Sequence, residues 1–263
     1  MRHLVIPDTQ IRPGDDTTHL DWAARAALKY LPDVIVMIGD WWDMPSLSMH
    51  DAPGSAEANG RNVLCDIQAG NEAFERFVAP IQKEQARRIK NKDKQWNPRC
   101  EFLMGNHEDR VSRALNADPK LDGILSLNNL KTPGFHRNDF LRIVLIDGIR
   151  YCHFFSNPLS GRPIGGTIPN RLNHIGGSFV QGHQQGFQYG CKQYPDKVAH
   201  GLVCGRFYSH HESYRPDDVQ DCEWNGIVIL NEIRNNGDFD LMPLSFNYLR
   251  KTFGDEHGKW SRL

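Results

Sequence analysis

Nine short apolar runs, rich in β-branched residues, recur along the chain at residues 3–6, 34–38, 101–104, 143–146, 150–154, 179–181, 202–204, 227–230 and 239–242. Runs of three to five such residues, bounded by Gly, Pro, Asn or Asp, predict buried strands. None approaches the roughly 20 apolar residues that a membrane helix needs. Between the early runs lie helical patterns. Residues 20–31 (LDWAARAALKYL) repeat apolar positions at helical spacing behind the capping types Asp15 to Thr18. Residues 68–90 give a second, longer helical pattern, predicted to break at Pro80. The first half therefore reads β-α-β-α-β. The second half reads mostly β, with Gly/Pro-rich loops such as 157–169. No repeat and no Ser/Gly/Pro linker interrupts the 263 residues, so one α/β domain over 1–263 is expected.

Composition narrows the class. With 39% apolar residues the chain has matter for a sizeable core, which excludes intrinsic disorder. Lysine and arginine total 31 against 32 acids, a net charge of -1. Coating nucleic acid or membrane by bulk charge is thereby excluded, although a local patch is not. The densest positive stretch, 83–99, reads as a solvated face or as a basic wall for a polyanion. Six cysteines without regular spacing suggest buried free thiols in a reducing compartment. The N-terminus lacks an export-signal pattern. A soluble, cytoplasmic protein with no membrane partner is expected.

Polar clusters follow the apolar runs. Asp8-Thr9-Gln10 follows the first and Gly39-Asp40-Trp41-Trp42-Asp43 the second. Gly105-Asn106-His107-Glu108 follows the third, and later runs end in His153 and in Gly182-His183-Gln184-Gln185. In an α/β sheet such ends meet along one edge, where ligands bind. Carboxylates, imidazoles and amides gathered there make a metal-site inventory.

In that order the clusters resemble the calcineurin-like metallophosphoesterases, whose pattern is D-x-H, G-D-x-x-D, G-N-H-[E/D], H, G-H-x-H. The general run of the sequence is similar to the phage-encoded members, which would put the protein in a host-cell cytoplasm. The resemblance spans Asp8 to Gln185 and implies a four-layer αββα sandwich with two mixed β-sheets. It also implies two divalent ions. The first would be held by Asp8, Gln10, Asp40 and Gln185, and the second by Asp40, Asn106, His153 and His183, with Asp40 bridging. Such a pair serves hydrolysis of a phosphate ester by metal-bound hydroxide. His107 would stabilise the transition state or protonate the leaving oxygen. Asp43 would hold its imidazole, and Arg110 would neutralise a phosphate oxygen.

The chain departs from the family at Gln10 and Gln185, where histidine is usual. Glutamine offers a neutral oxygen, so the first ion would see oxygen donors only. That shell suits Mn²⁺, Mg²⁺ or Ca²⁺ better than Zn²⁺, while the second site suits Mn²⁺, Fe²⁺ or Zn²⁺. The expectation is an asymmetric pair, with manganese favoured and the first site weaker. Trp41 and Trp42 beside the acids read either as core or as a wall that stacks on a nucleobase. His210 reads as surface or as a cleft residue. The expected substrate is a phosphodiester in DNA or a nucleotide, ahead of a phosphomonoester on a protein or small molecule. A binding or scaffold role on a degenerate one-metal site is the reading from another class. Oligomeric state is open at this stage.

Overall fold

The alternation of side chains along the strands builds the layers. In the computed structural model, which describes residues 1–48, 60–211, 216–234 and 236–254, β1 (His3–Ile6), β2 (Val34–Met37), β3 (Arg99–Leu103) and β4 (His136–Asn138) are parallel neighbours. β10 (Gly226–Asn231) and β11 (Asp240–Ser245) add antiparallel to the free side of β1, giving the order β11-β10-β1-β2-β3-β4. A second mixed sheet has the order β5-β6-β7-β9-β8, from Val144–Ile146, Ile149–Tyr151, Phe179–Gln181, Val198–Cys204 and Phe187–Gln193.

Successive residues of a strand face opposite sides. Leu4, Ile6, Ile35, Met37, Ile227 and Ile229 thus face a helical layer, while Val5, Val34, Val36, Ile38, Val228 and Leu230 face the second sheet. That sheet answers with Ile146, Ile149, Tyr151, Val180, Leu202 and Cys204. Its other face buries Phe179, Ala199 and Val203 under Ile168 and Leu172 of a helix at Ile168–Ile175. Helix, sheet, sheet, helix is the αββα sandwich expected. Each fully buried Val, Leu or Ile contributes about 1.5–3 kcal/mol of transfer free energy.

The helical layer on the first sheet comprises α1 (His19–Tyr30), α2 (Val63–Asn91) and a C-terminal helix at Phe246–Phe253. The chain order continues with α3 (Asp109–Ala117), α4 at 168–175, a short α5 (Asp217–Asp221) and α6 at 246–253. In α2, Ile67, Gly70, Ala73, Phe74, Phe77, Val78 and Ile81 form the buried stripe. Contrary to expectation, α2 starts five residues earlier than 68 and runs through Pro80. Asn62 caps it, its side chain accepting from the Leu64 N–H at 2.8 Å. Pro80 sits at a half-exposed position, so the turn that loses its hydrogen bond is on the solvent side, while Phe77, Val78 and Ile81 hold both halves to the sheet.

Two strands were not legible as apolar runs. β4 (HRN) and β8 (FQYGCKQ) are edge strands, and no residue of β8 is buried. The six cysteines are free thiols, but Cys65, Cys191 and Cys222 are exposed rather than buried. Among the described residues no helix is long and apolar enough to cross a membrane.

The basic segment 83–99 covers the end of α2 and the chain leading into β3. It therefore lies at the sheet edge opposite the strand ends that carry Asp40 and Asn106. Its arginines are engaged, Arg87 and Arg88 on Glu84 and Arg99 on Glu101. It forms no wall for a substrate at those strand ends.

Candidate metal centre

Parallel β1, β2 and β3 deliver Asp8, Asp40 and Asn106 to one edge, and β6 and β7 deliver His153 and His183 to the same place. One oxygen or nitrogen each from Asp40, His153 and His183 lies within 4.8 Å of the others. His153 Nε2 stands 3.3 Å from Asp40 Oδ2. The amide oxygen of Asn106 is 3.0 Å from His153 Nε2 and 2.8 Å from His183 Nδ1. The four residues expected at the second ion therefore converge.

Their orientation is fixed from behind. His153 Nδ1 lies 2.9 Å from the Ile38 carbonyl, which takes its proton and leaves Nε2 to face the cluster. Metal-binding imidazoles are commonly oriented in this way. The Asp8 carboxylate accepts the His183 backbone N–H at 2.9 Å, and the Asp40 carboxylate accepts that of His107 at 2.9 Å. Two glycines permit the approach. A Cβ at Gly105 would stand 2.1 Å from Asp40 Oδ1, and one at Gly182 2.2 Å from Asp8 Oδ1. Gln10, Asp40 and His183 all hold left-handed backbone, with φ of 43°, 49° and 64°. Such strain in non-glycine residues collects at functional sites.

The side chains of Asp8 and Asp40 are buried, and among the described residues no Arg or Lys pairs with either. Buried carboxylates need a compensating cation. With two imidazoles, an amide oxygen and the Asp40 carboxylate around one point, the donor set fits a divalent cation. Burial pushes the Asp8 carboxyl up to about 7. At Asp40 burial also pushes upward, but His107 and His153 outweigh it and the net direction is down. Burial lowers His153 while Asp40 more than reverses it, to about 9. Burial and the neighbouring His153 take His183 down to about 4.

On the first-ion side, Gln185 Nε2 donates to Gln10 Oε1 at 3.4 Å, so the two amides meet as a pair.

His107 Nδ1 stands 3.0 Å from Asp43 Oδ1, an ion-pair contact rather than an in-line hydrogen bond, and its Nε2 is 3.7 Å from Asp40 Oδ2. Burial lowers the His107 pKa, but Asp40 and Asp43 together raise it overall. Burial would raise Asp43, yet His107 and Arg12 hold it at about 2. Arg110 Nη1 donates to the Asp43 and Met44 carbonyls at 2.6 and 3.1 Å, and its Nη2 lies 3.2 Å from His107 Nε2.

Two residues carry weight that sequence reasoning missed. Arg12 Nε donates to Asp43 Oδ2 from the segment after β1, which pairs with the Trp42 backbone. A partner 31 residues away leaves no spacing signal. Glu108, fully buried, accepts four backbone N–H groups, from Trp41 (2.7 Å) and Trp42 (3.1 Å) on Oε1 and from Asp40 (3.0 Å) and Gly105 (2.7 Å) on Oε2. It ties the Asp40 loop to the Asn106 loop. Its signal was the acid ending the Gly-Asn-His-Glu tetrad, visible but unassigned.

Trp41 and Trp42 are corrected. They are 1% and 0% exposed, packed on Phe74, Phe77 and Phe102, with indole N–H groups donating to Gly70 and Ile67 carbonyls. Rings so enclosed cannot stack on a substrate. His210 turns its Nδ1 to Asp15 at 3.2 Å and stacks on Tyr208, and it does not line the cleft beside the cluster. That cleft, of about 800 Å³, opens on Asn106, His183 and Arg110.

No protein-family model and no curated protein matches the chain. Among solved structures, YfcE, described as a phosphoesterase from E. coli, aligns with 92% of this chain and 98% of its own at 12% identity and a TM-score of 0.37. So distant a similarity assigns no residue.

Proposed function

We propose that the protein is a metal-dependent phosphoesterase acting on phosphodiester bonds of a nucleotide or nucleic acid. The observation that carries this reading is the convergence of Asp40, Asn106, His153 and His183 beside an imidazole, His107, that is backed by a buried carboxylate. Two divalent cations, held by Asp8, Gln10, Asp40 and Gln185 and by Asp40, Asn106, His153 and His183, would supply Lewis acidity and neutralise charge developing on the phosphoryl group. The neutral oxygens of Gln10 and Gln185 make the first site the weaker and favour Mn²⁺ there.

The remaining work falls to the protein's own groups. Asp43 stays ionised and holds the Nδ1 side of His107, so Nε2 is the atom that meets substrate. Asp40 and Asp43 shift this ring toward its protonated form against burial, and in that form it would give its proton to the departing oxygen. Arg110 anchors the Asp43–Met44 turn with one nitrogen and presents the other beside His107, where a phosphoryl oxygen would sit. The diester preference is supported by the size of the adjoining cleft, which leaves room for a second ester substituent. A cytoplasmic setting, and a phage source, belong to the same proposal.

Initial rates with bis-p-nitrophenyl phosphate, p-nitrophenyl phosphate, single-stranded DNA and duplex DNA in Mn²⁺, beside an Asp40→Ala control, test it. Turnover of diesters, lost in the control, is expected. Turnover of the monoester alone moves the reading to a phosphatase. No turnover of any substrate in a metal-replete sample overturns it in favour of a binding role.

A further inference from the structure

The cleft beside the metal cluster has two unlike walls. One is α3, which turns Arg110, Arg113, Ala114 and Ala117 toward it. These positions, i, i+3, i+4 and i+7, share one helix face. The two alanines present only methyl groups, so the helix leaves depth where a longer side chain would fill it. The opposite wall is aromatic. Phe140 and Phe154 meet edge to face at 5.7 Å, and Phe154 packs at 4.6 Å on the His183 ring. The slot is therefore continuous with a residue of the second-ion set. Its cationic groups lie at the end nearer the cluster. Arg110 reaches His107, and Arg113 is held by the Asn106 carbonyl at 2.8 Å and by Asp109 at 3.3 Å.

Charge and shape together commit the slot to one kind of occupant. An anion is drawn to the arginine end, and a flat apolar group fits between methyls and aromatic edges. A volume of about 800 Å³ is generous for a phosphate and suits a ligand of nucleotide size. We propose that the slot between α3 and Phe140/Phe154 receives a planar aromatic substituent of the phosphate ester, of the nucleoside or aryl class, and that Ala114 and Ala117 set this specificity. The proposal rests on the phosphoesterase reading above and narrows its substrate.

Calorimetric binding of phenylphosphonate and methylphosphonate to the full-length, Mn²⁺-loaded protein tests it without requiring turnover. Phenylphosphonate is expected to bind about tenfold more tightly or better, from burial of the ring. Ala114→Leu, and separately the exposed-position variant Ala117→Phe, should erase that advantage while methylphosphonate affinity stays unchanged. The second variant keeps the test valid if the first does not fold. Equal binding of the two phosphonates to the parent protein overturns the slot and leaves the phosphoesterase reading intact. So does an advantage that survives both variants. Binding of neither phosphonate overturns both.

Discussion

Replacing Glu108 by glutamine removes charge and one acceptor from a side chain that holds the Asp40 loop in place. The carboxylate accepts two backbone N–H groups on each oxygen, Trp41 and Trp42 on one, Asp40 and Gly105 on the other. A glutamine offers one oxygen. Whichever way its amide turns, two N–H groups then face an NH₂ and lose their acceptor. Leaving a buried donor unsatisfied costs about 1–3 kcal/mol, so two cost roughly 2–6 kcal/mol. For a chain of this size, each kcal/mol moves Tm by about 2–4 °C, and the fall should be on the order of 10 °C. Urea and thermal unfolding of Glu108→Gln measure this directly. Because Asp40 sits on the same loop, Mn²⁺ affinity should fall as well in the protein that remains folded. A loss below about 1 kcal/mol, with metal affinity kept, would refute the reasoning, because it would mean the four N–H groups find other acceptors.

Three further outcomes are expected. Trp42→Ala should lose about 3–5 kcal/mol in urea unfolding, because its ring fills the core against Phe74 and Phe102; a stacking platform would instead change KM with little loss of stability. His19 is buried, with Nε2 unpartnered and its pKa lowered by burial from 6.5 to about 4. Between those values the unfolded chain binds the proton and the folded one does not, so stability falls as pH drops from 6.5 toward 4. The loss at pH 4 is about 3 kcal/mol, and acid unfolding of His19→Phe should lack it; identical pH profiles would contradict the assignment. Gln10→His combined with Gln185→His should tighten the weaker of two Mn²⁺ binding steps in a calorimetric titration. An unchanged titration, or two equal tight steps in the parent protein, counts against oxygen-only ligation.

The fold was legible wherever burial wrote a pattern into the sequence. β1, β2 and β10 are apolar on both faces because each lies between two layers, so they stand out as unbroken runs. β4 and β8 lie at sheet edges with polar, exposed residues, and nothing in their composition separates them from loops. Pro80 misled because the rule that proline ends a helix speaks of hydrogen bonding, while α2 is held by its buried stripe. The cluster was legible for a related reason. Asp8, Asp40, Asn106, His153 and His183 each follow a buried strand, and parallel strands put those ends together. Arg12 was not, since it acts on a carboxylate 31 residues away, and Glu108, though visible in the tetrad, has a role that appears only once the folded backbone brings four N–H groups to it. Trp41 and Trp42 beside two acids suggested a ligand wall. The chain instead tucks both rings under α2, while the carboxylates of Asp40 and Asp43 on either side of them face the centre.

Anomalous diffraction at the manganese edge from crystals of the Mn²⁺-loaded protein tests the central claim most directly. The account predicts a strong peak within coordination distance of Asp40, Asn106, His153 and His183, with a weaker one beside Asp8, Gln10 and Gln185. A peak elsewhere on the molecule, or none at that cluster in metal-replete crystals, would contradict it.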